Sequence, residues 1–147
     1  MTKAIYFDMD GTIANLYGIE TWLDDILAEN VRPYRDAKVM LNMNTLAKRL
    51  NKLQKNGYKL GIISWTAKNG KEEYNNAVAR AKKEWLNKHL KSVHFDDIKI
   101  VPYGTPKAES VEYKGGILFD DEEPNRRNWT GTAYDVNNIL ETLTLLA

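Results

Sequence analysis

Five short runs of apolar, β-favouring residues recur along the chain, and the gaps between them carry helical periodicity. The runs are Ala4 to Phe7, Lys59 to Ser64, Ile98 to Val101, Ile117 to Phe119 and Thr132 to Val136. Most of their positions are apolar in succession rather than in alternation, the pattern of strands covered on both faces. Between them, Leu46, Leu50 and Leu53 share one helical face, and Asn56-Gly57 supplies a stop. Tyr74, Val78, Ala81 and Trp85 form a second helical stripe, and Ile139, Leu140, Leu143 and Leu146 a closing one. Buried strands alternating with amphipathic helices predict an α/β fold around a mostly parallel sheet. At 147 residues the expectation is one domain spanning 1–147.

One segment breaks the alternation. From Asn15 to Met43 the chain holds more residues than a strand-to-helix loop needs. A helix is expected over Ile19 to Glu29, followed by Val31-Arg32-Pro33-Tyr34-Arg35, and 15–43 reads as a small insertion above the sheet.

Composition narrows the function. The formal charge of +1 gives no broad field to attract nucleic acid or an anionic membrane. With no cysteine, disulfides, thiolate metal sites and cysteine nucleophiles are excluded. The absence of cysteine fits a reducing compartment, and a cytoplasmic setting is expected. The opening MTKAIYFDMD matches neither a secretory leader nor a spanning helix.

The first strand runs directly into Asp8-Met9-Asp10-Gly11-Thr12. Ligands of open parallel sheets sit beyond the carboxyl ends of the strands, so chemistry is expected at these carboxylates. Two Asp one residue apart, followed by Gly, suit a hard cation. An EF-hand loop does not fit: with Asp8 as position 1, Ile13 falls where the turn Gly belongs and Ile19 where the bidentate Glu belongs.

Asp8 to Thr12 resembles the DxDGT motif of the haloacid dehalogenase-like (HAD) superfamily phosphatases. The resemblance implies three more elements in fixed order, and each has a match. Ser64 ends the second strand run. Lys107 follows the third within Thr105-Pro106-Lys107, with Thr105 expected as the N-cap and Pro106 at the first helical position. Asp120-Asp121 ends the fourth. The implied fold is a three-layer Rossmannoid sandwich with strand order 5-4-1-2-3, the 15–43 segment being its cap.

The implied chemistry is hydrolysis of a phosphomonoester through an aspartyl-phosphate on Asp8. Asp10 is then the general acid and base, and Ser64 and Lys107 hold the phosphoryl group. The resemblance also implies a metal site for Mg²⁺ formed by Asp8 and Asp120 through their side chains and Asp10 through its carbonyl, with Asp121 either a ligand through water or an orienter of the other ligands. The second Asp of the motif favours phosphoryl transfer over dehalogenation.

Within the superfamily the chain is most similar to the 5′(3′)-deoxyribonucleotidase-like group of bacteria and phages. That similarity rests on Trp85-Leu86, Phe95-Asp96-Asp97-Ile98, Val101 to Lys107 (VPYGTPK), and Asp120-Asp121 followed by Asn125 and Trp129. The expected partner is a small phosphorylated metabolite, with nucleoside monophosphates the leading class. Trp65 and Tyr34 are candidates to stack on a base, and Arg32 and Arg35 to hold its phosphate or sugar. Gly11, Thr12 and Thr66 complete the substrate-binding candidates. A phosphatase for nucleic-acid ends and a non-catalytic module that sequesters a phosphorylated ligand are the alternatives.

Overall fold

The computed structural model describes residues 3–147. Its centre is β1 (Ala4–Phe7), all four residues of which are buried. On one side lie β4 (Lys59–Trp65) and β5 (Asp97–Val101), on the other β6 (Ile117–Phe119) and β7 (Thr132–Tyr134). The order is β5-β4-β1-β6-β7, and every neighbouring pair is parallel. Counting only the five apolar runs, the order is third, second, first, fourth, fifth. A separate two-stranded antiparallel ribbon, β2 (Ala14–Asn15) with β3 (Lys38–Val39), lies outside the five apolar runs. The last strand is also shorter than its run, stopping at Tyr134.

Side chains of successive strand residues point to opposite faces, so the three central strands β1, β4 and β6 feed two cores. Ile5, Phe7, Leu60, Ile62 and Phe119 pack with Leu46, Leu50 and Leu53 of α3 (Met43–Lys55), Trp85 and Leu86 of α4 (Glu72–His89), and Ile139 and Leu143 of α7 (Ile139–Leu146). Ala4, Tyr6, Ile63 and Leu118 pack on the other face with Ala108, Val111 and Trp129, beside the short helices α5 (Lys107–Ser110) and α6 (Glu123–Arg127). Helix α3 starts where the Asn42 side chain accepts a bond from Thr45 N, and stops at Asn56 and Gly57.

The 15–43 segment differs from its expected form. A single helix over Ile19 to Glu29 is replaced by a 3₁₀ turn at Leu16–Gly18, α1 (Trp22–Leu27) and α2 (Arg32–Asp36). Nothing on α1 is fully buried, so the helix lacks the packed face that would extend it. Tyr34 instead anchors the segment, in a cluster with Leu16, Ala67, Tyr74, Val78 and Ala81. The Tyr74 hydroxyl donates to Asn30 O at 3.0 Å, and Trp85 Nε1 to Ala37 O at 2.7 Å. The segment is thereby fixed along α4. Among the described residues, no helix is long and apolar enough to cross a membrane.

Gly61 shows how closely β4 and β1 fit. A Cβ there would lie 2.2 Å from the Tyr6 ring, whose hydroxyl donates to buried Asp97 at 2.6 Å. Gly61→Ala is expected to displace Tyr6 and cost about 1–3 kcal/mol. Chemical denaturation of the two proteins checks this, and an unchanged midpoint would contradict it.

Candidate active site

The carboxyl ends of β1, β4 and β6 meet around one cleft of about 350 Å³. Asp8 follows β1, Ser64 lies near the end of β4, and Asp120 follows β6. Lys107 enters from the loop after β5. It opens α5, whereas Pro106 is the flanking residue and Thr105 is not a cap: the Thr105 hydroxyl donates to Pro102 O at 2.6 Å. The expected N-cap at Thr105 is therefore replaced by a tight turn that bonds back on itself.

Lys107 Nζ donates to Asp8 Oδ1 at 2.9 Å and to Asp120 Oδ2 at 2.7 Å, with all three side chains buried. Burial alone would push this ammonium down, but the charges of Asp8 and Asp120 outweigh it and hold Lys107 above its ordinary value. The second Asp8 oxygen accepts from Thr12 Oγ1 at 3.1 Å. Asp120 Oδ1 accepts from Glu122 N at 3.0 Å. Both carboxylates are thus held from two directions.

Gly11 brings Asp121 into the group. Its φ of +80° disfavours a side chain, and a Cβ would fall 2.4 Å from Asp121 Oδ2. One oxygen each from Asp8, Asp120 and Asp121 lies within 4.8 Å of the others. Burial and the facing Asp8 charge push the Asp121 carboxyl up to about 8. Asp120 is raised by the same two causes.

Asp10 faces a different cation. Its Oδ2 accepts from Lys82 Nζ at 2.9 Å, and burial raises this carboxyl while Lys82 opposes the rise. Lys82 was absent from the sequence candidates. The signal was nonetheless present: position 82 lies four residues after Val78 and three before Trp85, so it projects from the buried stripe of α4. A lysine on an apolar face requires a partner, and Asp10 supplies it.

The remaining candidates divide. Asp8, Asp10, Ser64, Lys107, Trp65, Thr66 and Tyr34 line the cleft. The Thr66 hydroxyl is buried and has no hydrogen-bond partner among the described residues. Trp65 is fixed as a wall, its Nε1 donating to Thr105 O at 2.8 Å and its ring 4.9 Å from that of Tyr103. Gly11, Thr12, Asp120 and Asp121 lie behind these and shape the carboxylate group. Arg32 and Arg35 are not brought to the cleft: Arg32 pairs with Asp25 at 3.2 Å and Arg35 with Asp36 at 2.9 Å. Both find carboxylates on their own short segment, and both guanidinium groups are largely exposed. The far wall is instead apolar, made by Tyr17, Trp22, Leu23, Ile26 and Leu27, residues the sequence reading assigned no role at the site.

No protein-family model matches the chain, and no curated protein matches it in sequence. Solved structures do resemble it in fold. The D,D-heptose 1,7-bisphosphate phosphatase from B. bronchiseptica, complexed with magnesium and phosphate, superposes with a TM-score of 0.59 at 11% identity, over 99% of this chain and 100% of that one. The enzyme of the same name from Burkholderia thailandensis gives 0.52 at 15% identity, over 86% of this chain and 70% of that one. The chain thus shares the α/β fold of these phosphatases.

Proposed function

We propose that this protein is a Mg²⁺-dependent phosphomonoesterase of the HAD type. The carrying observation is the meeting of Asp8, Asp10, Ser64, Lys107, Asp120 and Asp121 at one end of a parallel sheet. The shared fold with phosphatases, one of them holding magnesium and phosphate, supports the same reading. The domain is a single core with 15–43 as a small cap, in a cytoplasmic setting.

The donor set suits the cation. Oxygen ligands from Asp8, Asp120 and Asp121, with the Asp10 carbonyl, are those a hard divalent ion prefers. Burial first, then the facing charges of Asp8 and Asp120, raise the Asp121 carboxyl, and a bound cation would offset both. When bound, Mg²⁺ would neutralise charge on the phosphoryl oxygens.

The protein's own groups do the rest. Asp8 attacks phosphorus through a carboxylate oxygen, the bond to the leaving oxygen breaks, and an aspartyl-phosphate forms. Lys107 reduces the repulsion between that carboxylate and the phosphate. Asp10 in its acid form passes a proton to the leaving oxygen, then accepts one from the water that releases phosphate. Ser64 and Thr66 offer hydroxyl donors to the phosphoryl oxygens, which is the partner the Thr66 hydroxyl lacks.

Nucleoside monophosphates are the favoured substrates, in keeping with the similarity to deoxyribonucleotidase-like proteins. The support is the wall of Trp65, Tyr103, Tyr17 and Trp22, which offers faces for a base. Arg32 and Arg35 are engaged outside the cleft, so the polar groups left for the rest of a substrate are Lys68, Asn69, Glu122 and Asn125.

Purified protein is expected to release phosphate from p-nitrophenyl phosphate with Mg²⁺ and to lose that activity with chelator. Asp8→Asn should fall to background, and full activity in this variant would sink the assignment of the nucleophile.

Nucleoside 5′-monophosphates should be turned over with kcat/KM at least about tenfold above sugar phosphates. Trp65→Ala should erase that preference, stacking being worth about 1–3 kcal/mol per base. Steady-state kinetics on both substrate classes decides it.

The Asp121 proton supplies a stability test. A carboxyl whose folded value is raised to about 8 binds its proton more tightly when folded, so its contribution is present at low pH and is lost as pH rises through that range. Without metal, Asp121→Asn should raise Tm by a few degrees at pH 8.5 and hardly at all at pH 4. Mg²⁺ should raise the wild-type Tm more at pH 8.5 than at pH 5, which thermal melts at the three pH values would read.

A further inference from the structure

Lys82 is a buried cation bonded to the cleft-lining Asp10 and Ser64, and the chemistry above leaves it without a role. It is 1% exposed. Its Nζ donates to Asp10 Oδ2 at 2.9 Å, to Ser64 Oγ at 2.7 Å and to Trp65 O at 2.7 Å, and lies 5.2 Å from the centre of the Tyr34 ring. An ammonium has three protons, and all three are committed. Lys82 therefore has no donor left for a ligand, in contrast to a residue that grips phosphate.

What it does instead follows from its partners. The Ser64 oxygen accepts from Lys82, so the hydroxyl proton of Ser64 must point elsewhere. Ser64 lines the cleft, and that proton is the one a phosphoryl oxygen would receive. Asp10 has one oxygen pinned by Lys82, which leaves the other to exchange a proton with the leaving group. The Trp65 carbonyl bond fixes the strand end that carries Ser64. We propose that Lys82 is a positioning residue: one fully committed ammonium that aims both the Ser64 hydroxyl and the Asp10 carboxyl at the substrate. The proposal rests on the phosphatase reading and adds to it a group on α4, outside the four motifs.

A purely structural lysine predicts a different pattern from a positioning one, and leaving-group dependence separates them. Nitrophenolate departs without a proton, whereas an alkoxide needs one. Lys82→Met keeps the apolar stem and removes the three donors. It is expected to lower kcat/KM, which reports the step in which the leaving group departs, by on the order of 10²-fold on an alkyl phosphate, and by a much smaller factor, set by Ser64 alone, on p-nitrophenyl phosphate. Combined with Asp10→Asn, the loss should be well below the product of the two single losses, because both act through the same proton. The double variant also leaves no unpaired buried charge, which favours its folding. Should Lys82→Met not fold, Lys82→Gln, which retains two amide donors, carries the same comparison. Equal losses on both substrates, or losses that simply multiply, would overturn the positioning role and leave the phosphatase reading standing. No turnover of either substrate by the wild type would remove both together.

Discussion

The structure depends on placing four carboxylates at one end of a sheet with two ammonium groups set among them. Lys107 joins Asp8 to Asp120 across neighbouring strand ends, and Lys82 joins Asp10 to the end of β4. With Asp121 included, the group is two positive charges short of balance. A lone proton on Asp121 relieves part of that; burial and the facing Asp8 and Asp120 charges both raise its carboxyl, to about 8. A divalent cation would relieve all of it. Under the proposed reading, a phosphate dianion would meet that same negative excess if no cation had bound first, so acceptance of substrate and of metal would be a single electrostatic problem.

The fold positions this group by a simple device. Because β1 is central and buried on both faces, its end is flanked by the ends of β4 and β6. Carboxylates at Asp8 and Asp120 are neighbours because Phe7 pairs with Phe119 in parallel register. Tyr6 and Gly61 set the depth of the β1–β4 contact on which the relation between Asp8 and Ser64 rests.

How much of this the sequence carried depends on the range of the interactions involved. The five strands, the three long helical stripes and the strand-end residues Asp8, Ser64 and Asp120 were legible because local periodicity and chain order define them. The 15–43 segment was not. Its helix was expected to run to Glu29, but α1 has no buried residue, and packing of Tyr34 on α4 decides the shape instead. Arg32 and Arg35 looked like anion binders because a sequence shows charge without its partner; Asp25 and Asp36 turn out to hold them. Lys82 was overlooked for the opposite reason. Its stripe was read as apolar, and its partner lies 72 residues away. The Lys107 helix start was one residue late because Thr105 bonds into the preceding turn.

The attachment of 15–43 to α4 has a mechanical side. Tyr34 and the Asn30 carbonyl hold the segment to the same helix whose Lys82 grips Asp10 and Ser64. A lid joined by a free hinge swings without disturbing the catalytic floor. Here the wall and the floor share one rigid strut, so a rotation that lifted the segment would drag on the groups beneath it. Access is then left to the rim, where Leu23 and Leu27 are exposed, and Tyr17 and Tyr103 are half exposed against the rings of Trp22 and Trp65.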